Sequence, residues 1–271
     1  MKSLINYITS KLENHYSITE AREISFWIIE EITGLTRAQA LTSTQSNIII
    51  PELDGIILRL LNHEPIQYIF GHTEWMGLDL QVTPATLIPR PETAELVEWI
   101  ISTCNPATPQ HLLDIGTGSG CIAIALKQRC PLWQIEGIDI SSEALEVAQL
   151  NAKKNDVNII WKRMDILTEN TDFIDIIVSN PPYICHKEKT QMDARVLEHE
   201  PHSALFVPDN DPLLFYRRIA SMKSSKYLFF EINEAYGKEI CDMLLKLGYT
   251  DIQLKNDIYG KARMVFGRIE I

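Results

Sequence analysis

The sequence predicts an α/β protein with a doubly wound, seven-stranded sheet, preceded by a small helical bundle and a β-hairpin. Three observations lead to this prediction. Strand and helix patterns alternate beyond Leu87, a glycine-rich turn follows the first of these strands, and the chain before Gln67 shows helical periodicity. Such alternation implies right-handed crossovers and a mostly parallel sheet.

The chain of 271 residues exceeds the usual size of one domain. We therefore expect a helical bundle over 1–66, a hairpin linker over 67–86 and a larger α/β domain over 87–271. The composition is that of a globular protein, with 45% hydrophobic and 23% charged residues. The five cysteines are scattered, so we expect reduced thiols rather than disulfides.

The bundle is predicted from apolar residues that recur at steps of three and four. Gly34 is expected to end one helix, and Thr36 to cap the next. The residues of the two apolar faces are Ala21, Ile24, Ile28 and Ile32, and then Leu53, Ile56, Ile57, Leu60 and Leu61.

The hairpin is predicted from strand-forming residues between Gln67 and Thr86, punctuated by Gly71 and Gly77. These residues are Tyr68, Phe70, Trp75, Leu78, Leu80 and Val82.

The remaining chain predicts the sheet and its helices. The last two strands follow each other too closely for a helix between them, so the last strand should be antiparallel. Loops are expected at Pro89, at Pro91 and over Asn105–Gln110. The predicted strands are His111–Ile115, Gln134–Ile140, Val157–Arg163, Ile174–Ser179, Tyr227–Ile232, Thr250–Lys255 and Met264–Ile269. The main predicted helices are Ala94–Thr103, Gly120–Gln128, Ser142–Lys154 and Leu213–Ala220.

A glycine-rich turn follows the strand His111–Ile115. Glycines stand at alternate positions, and glycine allows both a sharp turn and the close approach of a ligand to the backbone. The turn indicates a nucleotide-like ligand at the carboxyl end of a Rossmann-like sheet, but dinucleotide enzymes use a similar loop. Its residues are Gly116, Thr117, Gly118, Ser119 and Gly120.

Acidic residues end the next two strands. Asp139 is placed to accept the hydroxyl hydrogens of a ribose, which NAD and S-adenosylmethionine both carry. Asp165 would lie across the same pocket, where an adenine amino group could donate to it, and Ile166 would pack on the base. These residues do not separate the two cofactors.

The segment Asn180-Pro181-Pro182-Tyr183 follows a buried strand. Its prolines fix two φ angles and remove two backbone donors. The rigid turn then presents two acceptors, the Asn180 side-chain carbonyl and the Pro181 main-chain carbonyl. Two acceptors can hold both hydrogens of one NH2 group, and Tyr183 can pack against the face of that group. Because an amide nitrogen is a poor nucleophile, methyl transfer to it depends on such positioning.

These motifs resemble the HemK/PrmC family of N5-glutamine methyltransferases over nearly the whole chain. The segment from Pro84 to Thr93 is characteristic of that family, as are Glu200-Pro201 with Ala204-Leu205, and Asp257, Gly260 and Arg263 near the end.

The resemblance implies a methyltransferase that uses S-adenosylmethionine and yields S-adenosylhomocysteine. It implies that Gly116 to Gly120, Asp139 and Asn180 bind the cofactor, with Ile166 beside the adenine. Asn180 to Tyr183 are expected to hold a glutamine in the Gly-Gly-Gln motif of class 1 peptide chain release factors, which links the chain to translation termination. The helical bundle is expected to bind the release factor.

Three alternatives stay open at this point. The first is adenine-N6 methylation of nucleic acid, because the adenine amino group is also an NH2 group that the two acceptors could hold. A net charge of -11 argues against a protein that binds nucleic acid mainly through phosphates. An NAD-linked oxidoreductase and a non-catalytic binding module are the others. We expect a cytoplasmic monomer with no membrane segment and no direct nucleic-acid partner. We also expect no metal site, because Pro201 interrupts the histidine pair His199 and His202.

Overall fold

The computed structural model describes residues 1–43 and 51–270. Residues 44–50 of the expected bundle, and Ile271, lie outside the described residues. Up to the hairpin the elements are α1 (Lys2–Leu12), α2 (Ile18–Thr33), α3 (Arg37–Thr42), α4 (Leu53–Leu61), α5 (Ile66–Phe70), β1 (His72–Trp75) and β2 (Leu78–Gln81). The next elements are α6 (Pro91–Thr103), β3 (His111–Ile115), α7 (Cys121–Arg129), β4 (Gln134–Asp139), α8 (Ser142–Lys154), β5 (Ile160–Arg163), β6 (Ile174–Ser179) and β7 (Ile184–Cys185). The last are α9 (Ala194–His199), α10 (His202–Leu205), β8 (Phe206–Val207), α11 (Leu214–Met222), β9 (Ser225–Glu231), α12 (Gly237–Lys246), β10 (Thr250–Asn256) and β11 (Ala262–Arg268).

The chain divides into two compact units. Met1–Gly71 with Ala194–His199 forms the first, and His72–Asp193 with Glu200–Ile271 forms the second. The domain boundaries predicted from the sequence, at 66/67 and 86/87, stay a prediction.

The first unit is a bundle whose core comes from the predicted faces. Ala21, Ile24 and Ile28 are buried on α2, and Leu53, Ile57 and Leu60 are buried on α4. The predicted helix ends are confirmed: Gly34 ends α2 with a φ of 67°, and Thr36 starts α3 in a capping box with Gln39.

A distant segment completes this first unit. Helix α9 pairs Arg195 with Glu20 in a salt bridge, and its Arg195 guanidinium lies over the Tyr16 ring at 5.4 Å from the centroid. The His199 ring donates from Nε2 to the main-chain carbonyl of Asn62 at 2.9 Å. Two residues of this late segment, Arg195 and His199, therefore contact described residues of the N-terminal bundle.

The structure contains the predicted hairpin, but its strands span only His72–Trp75 and Leu78–Gln81. β1 and β2 pair antiparallel, with Trp75 opposite Leu78. The expectation of strand at Tyr68 and Phe70 is wrong, because both lie in helix α5. Pro65 precedes that helix, and Gly71 ends it with a φ of 78°. These end residues outweigh the strand preference of the aromatic side chains.

The second unit contains the predicted seven-stranded sheet, in the order β10-β11-β9-β6-β3-β4-β5. The five neighbouring strands β9, β6, β3, β4 and β5 pair in parallel. β11 is antiparallel to both β9 and β10, as predicted for the last strand. The carboxyl ends of β3, β4, β5, β6 and β9 consequently share one edge of the sheet.

Two cores cover the two faces of this sheet. Side chains alternate along each strand, so Leu112 of β3 is buried in one core and Leu113 in the other. Helices α6 and α7 contribute to the first core, and α11 and α12 to the second. The loop expected at Pro91 is instead the first residue of α6, where proline's fixed φ suits a helix start. Within the described ranges, no helix combines the length and the apolar character needed to cross a membrane.

Candidate active site

A cavity opens at the carboxyl edge of the parallel strands, where the predicted site residues meet. Two of the twelve predicted residues, Gly120 and Tyr183, lie outside its lining. The predicted residues that line it are Gly116, Thr117, Gly118, Ser119, Asp139, Asp165, Ile166, Asn180, Pro181 and Pro182.

The glycine turn combines an open side and a crowded side. Gly116 and Gly118 have positive φ angles of 72° and 55°, and a Cβ added at either would meet no atom within 4 Å. Gly120 also has a positive φ, of 80°, but its Cβ would come 3.0 Å from Trp161 and 3.1 Å from Ala148. The first two glycines thus leave room for a ligand above the backbone, while the third allows close packing behind it.

Asp139 ties the glycine turn to the start of α8. One carboxylate oxygen accepts from the Gly118 main-chain N–H at 2.9 Å, and the other accepts from the Ser141 N–H at 3.0 Å. Burial raises the pKa of this carboxyl, while the backbone N–H donors act to lower it. Each oxygen keeps a further lone pair, so the carboxylate can still accept from a ribose.

The loop after β5 carries Asp165 and Ile166. The Asp165 carboxylate accepts from the Leu167 N–H at 2.9 Å, and Ile166 is buried beside the cavity. Arg218 of α11 donates to the main-chain carbonyls of Ile166 and Glu169, at 2.9 and 2.6 Å. Sequence reasoning missed Arg218, because its role is visible only once α11 packs beside this loop.

Two exposed apolar residues, Ile140 and Leu167, were also missed, and both line the same cavity. Their side chains are 53% and 36% exposed. Ile140 directly follows Asp139, and Leu167 stands two positions after Asp165. An apolar residue next to a predicted site acid was therefore the signal in the sequence that could have placed both in the cavity. They offer apolar surface to a flat ring.

The turn after β6 carries Asn180 and Pro181 at the edge of the cavity. The Ser179 hydroxyl donates to the Ile115 carbonyl at 2.7 Å, which fixes the strand end to β3. Pro181 is buried, and Asn180 is partly buried. Within residues 1–43 and 51–270, no group donates to the Asn180 side-chain carbonyl or to the Pro181 main-chain carbonyl. Both acceptors are available to a ligand.

Tyr183 does not line the cavity. Its ring packs against the core that contains α11 and α12, and its hydroxyl donates to Glu231 at 3.3 Å. Burial raises the pKa of this phenol, and the neighbouring Glu231 carboxylate adds to the effect. The packing of Tyr183 against a substrate amide stays a prediction.

Arg90 also lines the cavity. Its guanidinium pairs with the buried Glu200 carboxylate at 2.5 Å, and its main-chain carbonyl accepts from the Trp75 indole at 2.8 Å. Burial raises the pKa of Glu200, while Arg90 acts to lower it. Arg90 therefore joins the hairpin, the start of α6 and the segment after α9 at one point.

His199 and His202 lie in two separate short helices, α9 and α10, on either side of Pro201. Across the described part of the chain, no group of three His, Cys, Asp or Glu side chains is arranged to hold a metal ion.

Two family models match separate parts of the chain. Residues 3–71 match the PrmC N-terminal domain, and residues 96–205 match the Methyltransferase small domain. Release factor glutamine methyltransferase from Bacteroides thetaiotaomicron is 42% identical, over 98% of this chain and 99% of the relative. The protein of the same name from Flavobacterium psychrophilum is 44% identical, over 96% and 97%.

Among solved structures, the catalytic domain of hMettl16 in complex with a MAT2A 3'UTR hairpin has a similar fold. The TM-score is 0.59 at 15% identity, and the match covers 72% of this chain and 77% of that one. At this identity the likeness concerns the fold alone.

Proposed function

Since the chain belongs to the family of release factor glutamine methyltransferases, we infer that it transfers a methyl group from S-adenosylmethionine to a glutamine of a release factor. It is a protein-glutamine methyltransferase of the α/β class. The observation that carries the site assignment is the pair of available carbonyl oxygens at Asn180 and Pro181, at the edge of a cavity lined by the glycine turn. Nucleic acid as the methyl acceptor, the alternative left open by the sequence, is not favoured by these relatives.

The cavity residues fit the cofactor. The open side of the glycine turn at Gly116 and Gly118 accepts a ligand that lies against the backbone. Asp139 would accept from the ribose hydroxyls, Asp165 from the adenine amino group, and Ile166 would pack on the adenine. S-adenosylmethionine supplies the methyl group as an electrophile bonded to a positively charged sulfur.

The acceptor glutamine is held by Asn180 and Pro181. Their two carbonyl oxygens accept the two hydrogens of its side-chain amide and so fix the nitrogen in one plane. As this nitrogen bonds to the methyl carbon, the bond from that carbon to sulfur would break and S-adenosylhomocysteine would leave. The nitrogen becomes positively charged, the two oxygens stabilise that charge, and the nitrogen then loses a proton to solvent. The stiffness that two prolines impose on the turn means that little reorganisation is needed during the reaction.

The finer assignments belong to the same proposal. The acceptor atom is the N5 nitrogen in the Gly-Gly-Gln motif of a class 1 release factor, and the modification acts on translation termination. The helical bundle over 1–66 contacts the release factor, the hairpin over 67–86 links it onward, and 87–271 carries out the transfer. The protein is expected to act as a cytoplasmic monomer without direct contact to nucleic acid.

Mass spectrometry of a class 1 release factor tests this function. After incubation with the protein and S-adenosylmethionine, the factor should gain one methyl group, mapped to the Gly-Gly-Gln glutamine. A release factor whose glutamine is replaced by alanine is the matched control and should gain nothing. Methyl incorporation into DNA or RNA but not into the factor would overturn the assignment.

A further inference from the structure

A chain of hydrogen bonds leads away from Asn180 into the buried interior. The Asn180 side-chain nitrogen lies 3.5 Å from the Thr93 hydroxyl, and that hydroxyl donates to Glu231 at 2.6 Å. Thr93 is 2% exposed and Glu231 1% exposed. The three residues come from the position just after β6, the first turn of α6 and the end of β9, and both Asn180 and Thr93 line the cavity.

The direction of these hydrogen bonds follows from counting protons. A threonine hydroxyl has one proton, and here it goes to a carboxylate, which when ionised can only accept. Toward Asn180 the hydroxyl of Thr93 can therefore offer only a lone pair. A lone pair pairs with the side-chain NH2 of asparagine and repels its carbonyl oxygen. The contact is long, so it selects an orientation more than it adds stability.

The Glu231 carboxyl lies among groups that act on its pKa in opposite senses, and the net effect is an increase. Burial raises the pKa of its carboxyl, and Glu92 of α6 adds to that effect. The Thr93 hydroxyl, the charge of Arg263 on β11 and the Tyr183 hydroxyl act in the opposite sense. The two hydroxyls donate to different carboxylate oxygens, Thr93 to Oε2 and Tyr183 to Oε1.

We propose that Thr93 and Glu231 are positioning residues that hold the Asn180 amide with its nitrogen toward Thr93 and its carbonyl oxygen toward the substrate. This inference rests on the proposed function, because it concerns the oxygen that accepts from the glutamine amide. An asparagine amide can flip by 180°, and the flipped form would face one NH2 group with another. Two facing donors repel, so the flipped form cannot hold the nitrogen for attack.

Threonine 93 offers a matched pair of variants. Thr93→Val keeps the shape but removes the lone pair, while Thr93→Ser keeps the hydroxyl. We expect Thr93→Val to lower kcat/KM for the release factor about tenfold or more, the effect of one hydrogen bond. Thr93→Ser should stay within about threefold of the unchanged protein. The dissociation constant for S-adenosylmethionine, measured by calorimetry, should change little in both, which also shows that they fold.

Glu231→Gln is a second variant that is expected to disturb the orientation of the Asn180 amide. A glutamine amide can donate to Thr93, which frees the hydroxyl proton to bond the Asn180 carbonyl and so favours the flipped form. We expect a loss of kcat/KM similar to that of Thr93→Val. If Thr93→Val or Glu231→Gln binds the cofactor normally and turns over at the unchanged rate, the proposal is wrong.

The background of Asn180→Ala separates positioning from a general effect on structure. If Thr93 acts through Asn180, adding Thr93→Val to Asn180→Ala should cause no further loss. A further loss as large as in the unchanged background would refute the proposal, as would a Thr93→Ser variant as impaired as Thr93→Val. Failure of the unchanged protein to methylate the release factor would instead contradict the proposed function, so the two failures are distinguishable.

Discussion

The side chain of Asn151 joins the glycine turn to the hairpin by donating to the main-chain carbonyl of Ser119 at 2.9 Å. The same amide donates to the Gln81 carbonyl at 2.9 Å and accepts from the Gln81 N–H at 2.6 Å. Asn151 is fully buried, and its three bonds link α8, β2 and the turn. A residue outside the cavity lining thus supports the glycine turn that lines the cavity.

Replacing Asn151 with alanine should destabilise the protein. The change leaves a buried main-chain carbonyl of Ser119 and partly buried main-chain groups of Gln81 without their Asn151 partner, so we expect a loss of about 2–4 kcal/mol in the free energy of unfolding. Urea denaturation measures it. Asn158→Ala, at an exposed position, is the control and should change the free energy by less than about 0.5 kcal/mol. Equal effects of the two variants would show that the Asn151 bonds contribute nothing.

Replacing Asn180 with alanine should leave the fold intact and lower kcat by about 10²–10³, because one of the two oxygens that fix the substrate amide is lost. Transfer of a radiolabelled methyl group to the release factor measures the rate, and far-UV circular dichroism checks the fold. Asn158→Ala again serves as the control. Near-normal turnover by a folded Asn180→Ala protein would count decisively against the mechanism.

Replacing Asp139 with asparagine should weaken S-adenosylmethionine binding about tenfold or more, because one acceptor for the ribose becomes a donor. The new NH2 group would also face the N–H of Gly118 or Ser141. Isothermal titration calorimetry measures the affinity. Asp156→Asn removes an exposed carboxylate in the loop after α8 and should leave the affinity unchanged. An unchanged affinity in Asp139→Asn would remove Asp139 from the cofactor site.

Asp114 should make stability depend on pH. Burial raises the pKa of its carboxyl to about 7, against the donated bond from the Thr117 hydroxyl. The folded state then holds a proton that the unfolded chain loses at a lower pH, so this group's stabilising contribution falls as pH rises from about 4 to about 7.

Asp114→Asn keeps an oxygen for the Thr117 hydroxyl but cannot ionise. Its free energy of unfolding should therefore rise relative to that of the unchanged protein between pH 4 and pH 7, and the difference should level off above pH 7. Urea denaturation at intervals of pH measures it. A difference that stays constant over this range would show that the buried carboxyl does not titrate there.

Sequence reasoning predicted elements best where residues with strong local preferences bound them. The predicted bounds of β3 and β6 are those of the structure, because each strand is an apolar run that ends at a glycine or proline turn. β5 begins at Ile160, later than the predicted Val157. The Val157 N–H still donates to Ala152 near the end of α8, so that residue belongs to the helix end.

The candidate site could be predicted from the sequence as far as contiguous motifs reach. The glycine turn and the Asn180-Pro181-Pro182 segment each lie within a few residues of the chain and meet because parallel strands end at one edge. The bond between Thr93 and Glu231 spans 138 positions. No spacing rule connects such residues, because their contact depends on the order of β6 and β9 in the sheet. The contact between Thr93 and Glu231 could therefore be recognised only from the structure.

The membership of Ala194–His199 in the N-terminal unit has a consequence for dissecting this protein. A fragment that starts at His72 would retain these six residues but lack Glu20 and Asn62, which hold Arg195 and His199. A fragment that ends at Gly71 would have the opposite defect. A single cut between Gly71 and His72 therefore cannot yield a fragment that contains the complete N-terminal unit and nothing else.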